Sequence, residues 1–149
     1  MLVRLRLEEI HRYWELIHDS LVTSMCPTGD VNPDQMNFIL AELLSARMQA
    51  WAVFNSESKS FSAMLVTSMF EDLPTKTKNF VLYSLTAYKP LTAEEYISSF
   101  ETLKKFARAA GCTRMIAYTE NERFVKIMLK LAEQLGGKSM QFISIPLWN

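Results

Sequence analysis

The stretch Tyr88-Lys89-Pro90-Leu91-Thr92-Ala93-Glu94-Glu95-Tyr96 puts a lysine, a proline and two carboxylates at what reads as the start of a helix. Thr92 with Glu95 three residues later is a capping box, in which each side chain satisfies a backbone N–H that the first helical turn leaves without a partner. A helix start is also a natural seat for an anion, because its N–H groups and its dipole both favour negative charge. Here the box takes two of those donors and Pro90 has none to give. Glu94 and Glu95 bring like charge to the same place. At about 4 Å, two like charges repel by roughly 1 kcal/mol in bulk water and about 4 kcal/mol at an effective dielectric of 20. No glycine stands between Gly29 and Gly111, so nothing in the stretch allows the close backbone approach of a phosphate cradle.

Other groupings carry less chemistry. His11, Glu15 and His18 share one helix flank at spacings of four and three, which suits metal ligation in principle. The set lacks the HExxH spacing and borders the apolar stripe of Ile10, Trp14 and Ile17, so a solvated flank is expected and no metal. Lys104, Lys105, Arg108, Lys126 and Lys130 are interspersed with Glu as solvated helix surface. The nine methionines, Met36, Met48 and Met64 among them, read chiefly as core filling. No Ser/His/Asp, Cys/His or P-loop pattern is present.

The elements that must position these residues follow from periodicity. Residues 2–7 alternate Val3, Leu5 and Leu7 with Arg4 and Arg6, a strand of period two. In residues 8–25 the apolar positions Ile10, Trp14, Ile17 and Leu21 recur at three and four, an amphipathic helix. Asn32 before Pro33 reads as an N-cap with proline at the first helical position, opening a second helix to about Met48. Strands 49–54, 61–70 and 79–88 follow with short polar loops, an antiparallel meander. The helix opened by Thr92 ends at Gly111, a left-handed stop. A strand at 114–119, a helix at 122–135 capped by Asn121, and a last strand at 140–147 complete the chain. The strand–helix–strand step from Asn79 to Thr119 calls for a right-handed crossover between parallel neighbours.

Composition sets the outer bounds. The 149 residues fit a single domain, with 49% hydrophobic and 21% charged residues as in a globular core. A net charge of +0 gives no basic field for nucleic acid. No apolar run reaches the 18 or so residues of a membrane span, and residues 1–14 do not read as a signal peptide. Cys26 and Cys112 lie far apart, which suits reduced thiols and a cytoplasmic setting.

The order β-α-α-β-β-β-α-β-α-β, a mixed, mainly antiparallel central sheet with helices on both faces, resembles the GCN5-related N-acetyltransferase (GNAT) fold over nearly the whole chain. The segment Asn121-Glu122-Arg123-Phe124-Val125-Lys126-Ile127-Met128-Leu129-Lys130-Leu131 is similar to that family's asparagine and following helix. The resemblance implies that the third meander strand and the strand after the crossover part to admit acetyl-CoA. Ser84, Leu85, Thr86 and Asn121 would line that cleft, and the diphosphate would rest on residues 89–95. It also implies a tyrosine proton donor on the last helix. Met128 stands there instead, and a thioether donates no proton, which leaves Tyr118 on the preceding strand as the candidate.

These departures lead to the expectation of a non-catalytic GNAT-fold protein, with no bound cofactor, acting as a protein-binding or structural module. Small degenerate relatives of that kind occur among bacteriophage genes, some near virion genes. The expected partner is a protein or a second copy, rather than nucleic acid, membrane or metal, and Trp51 and Trp148 are the expected contact residues. The alternative is a divergent acyl-CoA-dependent N-acyltransferase, for which acetyl-CoA would be the cofactor.

Overall fold

The computed structural model of the chain describes residues 1–24, 32–119, 122–134, 136–137, 145 and 147. Its elements are β1 (Leu2–Arg4), α1 (Leu7–Arg12), α2 (Trp14–Ser24), α3 (Pro33–Leu44), β2 (Met48–Phe54), β3 (Phe61–Asp72), β4 (Thr77–Ala87), α4 (Ala93–Ala109), β5 (Arg114–Ala117) and α5 (Glu122–Gln134). The five strands form one sheet in chain order. Neighbours are antiparallel from β1 to β4, and β5 runs parallel to β4 through the α4 crossover. The mixed, mainly antiparallel sheet and the parallel junction are those the periodicity predicts.

Alternation along the strands builds a core on each face. Met48, Ala50 and Ala52 of β2 turn to α1, α2 and α3, where Ile10, Ile17, Leu21 and Leu43 are buried. Trp51 and Val53 turn the other way and pack with Phe80, Leu103, Ala107 and Phe124 beneath α4 and α5. Met36, Met48 and Met64 fill the first of these cores.

Trp51 is therefore not a contact surface. It is 3% exposed, its Nε1–H donates to Thr67 Oγ1 at 2.9 Å, and its ring meets Phe106 edge-on at 5.0 Å. Thr67 passes the chain on by donating to Gln49 Oε1 at 2.9 Å, so the indole's polar end is satisfied inside the sheet. Trp148 lies outside the described residues, as does most of the predicted last strand.

The first strand is shorter than predicted because Glu9 Oε2 accepts the Arg6 N–H at 2.7 Å and starts α1 at Leu7. The single helix expected over residues 8–25 is two. Tyr13 leaves helical geometry at φ −107° and ψ 17°, a bend that still brings both Ile10 and Ile17 into one core. Asn32 caps α3 as expected, its Oδ1 accepting the Gln35 N–H at 3.0 Å.

Gly111 ends α4 at φ +79°. The Cys112 N–H reaches back to Ala107 O at 2.9 Å and the Gly111 N–H to Arg108 O at 3.0 Å, the paired bonds of a Schellman stop. A Cβ on Gly111 would touch nothing within 4 Å, so the cost of Gly111→Ala is conformational alone. We expect it to lower unfolding stability by about 1–2 kcal/mol, measured by urea denaturation with an unchanged m-value.

Candidate functional site

The segment joining β4 to α4 closes on itself. The N–H groups of Tyr88 and Lys89 both donate to Ser62 O, at 2.9 and 3.1 Å. The Thr92 N–H donates to Glu95 Oε2 at 2.9 Å, and the Glu95 N–H donates to Thr92 Oγ1 at 3.2 Å. With Pro90 lacking an N–H, the donors left between Tyr88 and Glu95 are those of Leu91, Ala93 and Glu94. The Leu91 side chain is buried in the core under α4, which pins the loop against the sheet.

Glu95 does more than the sequence indicates. Its side chain turns inward and the residue is 7% exposed. Its Oε1 accepts from Asn55 Nδ2 at 3.2 Å, while Asn55 Oδ1 accepts from the N–H groups of Glu57 and Ser58 at 3.0 and 2.9 Å. One carboxylate thus ties the start of α4 to the β2–β3 turn and sits where a helix start would receive an anion. A diphosphate taking that place would have to break two hydrogen bonds to a charged group, roughly 1.5–3 kcal/mol each.

On the sheet, the β4–β5 ladder stops early. Its last pair is Leu82 with Ala117, followed by a long contact from the Tyr118 N–H to Leu82 O at 3.4 Å. β4 itself runs on to Ala87, still paired with β3. A bulge lies at the parting. The register steps from Thr67 opposite Leu82 to Val66 opposite Ser84, so Tyr83 has no partner on β3. The extra residue resets the alternation: Tyr83 packs against the α2 side, while Leu82 and Leu85 face α4. From Tyr83 to Ala87, the β5-side backbone edge of β4 is unpaired among the described residues.

The residues expected in a cleft divide between the two faces. Leu85 lines a cavity beneath α4 and α5. Ser84 and Thr86, opposite Val66 and Met64, belong to the α2 face. The Ser84 Oγ is buried without a hydrogen-bond partner among the described residues. Thr86 Oγ1 accepts from Ser20 Oγ at 3.0 Å and donates to Ser24 Oγ at 2.9 Å. Tyr118 follows β5, its ring centroid 6.5 Å from that of Tyr83. Met128 lies on α5 at the cavity wall, and Asn121 falls outside the described residues. His11, Glu15 and His18 are all exposed, on α1 and α2. Among the described residues, no three His, Cys, Asp or Glu side chains gather closely enough for a metal ion.

Three features here have no clear sequence signal. The first is the cavity, walled by Val53, Leu65 and Leu82 of the sheet, by Ser99 and Leu103 of α4, and by Phe124 of α5. The second is the hydroxyl seam between α2 and β4. The third is Tyr88, whose OH donates to Asp19 Oδ2 at 3.1 Å. Burial, and then the bond to the Asp19 carboxylate, raise the Tyr88 pKa.

No protein-family model matches the chain, and no curated protein matches it by sequence. Solved structures do match by fold. A probable acetyltransferase superposes with a TM-score of 0.67 at 13% identity, covering 100% of this chain and 99% of the other. The ribosomal-protein-alanine N-acetyltransferase of Brucella melitensis biovar Abortus 2308 gives 0.61 at 11%, covering 100% and 99%. Glucosamine-6-phosphate N-acetyltransferase of Arabidopsis thaliana gives 0.61 at 14%, covering 100% and 98%. At such identities the likeness establishes the fold, and the chain has the GNAT fold.

Two outcomes are expected. Glu95→Ala should lower unfolding stability by about 2 kcal/mol, because it leaves the Thr92 N–H and Asn55 without their charged acceptor; chemical denaturation measures this. The raised Tyr88 pKa means that the neutral phenol is the form the fold favours. Its contribution is present below the ordinary tyrosine pKa of about 10 and is lost as pH climbs from there through the raised value of the folded state. Wild-type stability should therefore fall relative to Tyr88→Phe across that range in melts at stepped pH.

Proposed function

We propose that the chain is a divergent N-acyltransferase that grips its acyl donor along β4 and not through a diphosphate at α4. The observation that carries this reading is the open edge of β4 from Tyr83 to Ala87, beside the bulge where β5 leaves it. Such an edge offers N–H and C=O groups to an extended amide chain such as a pantetheine arm. The likeness in fold to acetyltransferases over the full length of the chain supports the same reading.

In this reading the thioester lies at the bulge and a neutral amine attacks its carbonyl carbon. The C–S bond breaks as the C–N bond forms, and the departing thiolate takes a proton from a side-chain donor. The proton that the nitrogen loses returns through solvent to that donor. Tyr118, at the end of β5 beside Tyr83, is the residue assigned to this role. The helix dipole of α4 contributes little, because the Glu95 carboxylate already occupies its positive end.

One observation favours a second reading, a non-catalytic module that binds a protein or its own copy, as in a phage virion. It is the closed start of α4, where four N–H groups are already bonded. Exposed Phe38, Leu73 and Ile97 would be available to a partner but stand apart, on α3, in the β3–β4 turn and on α4.

Calorimetry with acetyl-CoA and with S-acetylpantetheine separates the readings. Similar affinities for the two would support donor binding along β4. A gain of about tenfold or more for acetyl-CoA, worth 1.4 kcal/mol, would show the diphosphate to be held and overturn the closed start of α4. If neither binds at millimolar concentration, the enzyme reading fails and the partner-binding module takes its place. Tyr118→Phe should reduce kcat by about 10²-fold or more if the proton assignment is right.

A further inference from the structure

The cavity on the α4 side of the sheet has a composition that a pantetheine arm does not require. Leu82 and Leu85, on either side of the bulge residue Tyr83, form its wall at the point where β4 and β5 part. Behind them, Val53 and Leu65 form its floor, and Leu103 and Phe124 close it from α4 and α5. Its enclosed free volume is about 40 Å³, room for roughly three waters or a short run of methylenes. Its walls are hydrocarbon, aromatic or thioether except at Tyr96 and Ser99, and among the described residues the buried Ser99 Oγ has no hydrogen-bond partner. A buried hydroxyl without a partner is uncommon in a finished core. An apolar cavity of this kind stays dry and receives apolar groups without displacing well-bonded water.

We propose that this cavity is a binding site for a short linear alkyl chain, and that it sets the acyl group the protein carries as longer than acetyl. The second half rests on the acyl-donor reading above. A donor lying along residues 83–87 with its far end toward α4 has its thioester at the bulge. The first carbons beyond the carbonyl then meet Leu82 and Leu85, and further methylenes enter between Leu65 and Leu103. Acetyl would leave this space empty. A chain of about four carbons is of a size to reach into it, and longer ones extend toward its open mouth.

The test uses S-acetyl-, S-butanoyl- and S-hexanoyl-pantetheine in calorimetry, and 1-hexanol in methyl NMR of the full chain. Affinity should rise about fourfold for each methylene that enters, or roughly 15-fold from acetyl to butanoyl, and level off once the cavity is full. Ser99→Leu fills the same space, so its butanoyl-to-acetyl ratio should fall toward one. Should that variant fail to fold, Met128→Phe fills the cavity from the α5 wall. The methyls of Leu103 and Met128 should shift with 1-hexanol in the wild type, and the Leu103 methyls should not in either filled variant. If acetylpantetheine binds but the series is flat and hexanol shifts nothing, the cavity proposal is overturned while the donor reading stands. If no thioester binds yet hexanol shifts those methyls, the alkyl site is supported and the donor reading fails.

Discussion

Among the described residues, β4 is paired on both edges from Asn79 to Leu82 and on one edge from there to Ala87. The change comes at one extra residue, Tyr83, inserted opposite no partner on β3. A bulge of this kind sharpens the local twist and redirects the following side chains. Because the side-chain period of a strand is two, the insertion moves Ser84 and Thr86 to the α2 face and gives Leu85 to the α4 face. The parting of the parallel strands, the polar seam on one side and the apolar cavity on the other all follow from it. Without the bulge, Leu82 and Ser84 would share a face, and a serine hydroxyl would stand in the cavity wall.

The start of α4 sets a limit on what that cleft can hold. A helix terminus with free N–H groups attracts anions, but this one is occupied from within. Coulomb repulsion from Glu94 is a small effect in water. The engaged donors matter more, because a buried carboxylate with two hydrogen bonds is costly to evict. Glu95 also fastens the β2–β3 turn through Asn55, so moving it disturbs a second part of the fold. The obstacle is to a diphosphate at one place, and the edge of β4 stays open to an uncharged donor chain.

Much of the architecture was legible from periodicity alone. The meander, the crossover, the Asn32 and Thr92 caps and the Gly111 stop each rest on local rules of spacing or backbone conformation. The bend at Tyr13 was not legible, since the apolar spacing of Ile10, Trp14, Ile17 and Leu21 continues straight through it. Trp51 was misread for a related reason. An indole beside alternating Ala and Val reads equally as rim or core, and only the pairing of Gln49 with Thr67 supplies the buried acceptor that its N–H needs. The inward turn of Glu95 depends on Asn55, forty residues away, and the cavity on side chains from six elements and the loop before α4. Contacts assembled from such distant parts of the chain leave no spacing to read.

The seam of hydroxyls between α2 and β4 has a mechanical meaning. Ser20, Ser24 and Thr86 bond to one another across the two elements, and Tyr88 adds a clasp to Asp19 a little further along. Separating the helix from the strand would strip several of these groups of their partners at once, so the two behave as one stiff panel. Any widening of the gap between β4 and β5 carries α2 along with β4, and the panel presents the same contour to whatever approaches from that face.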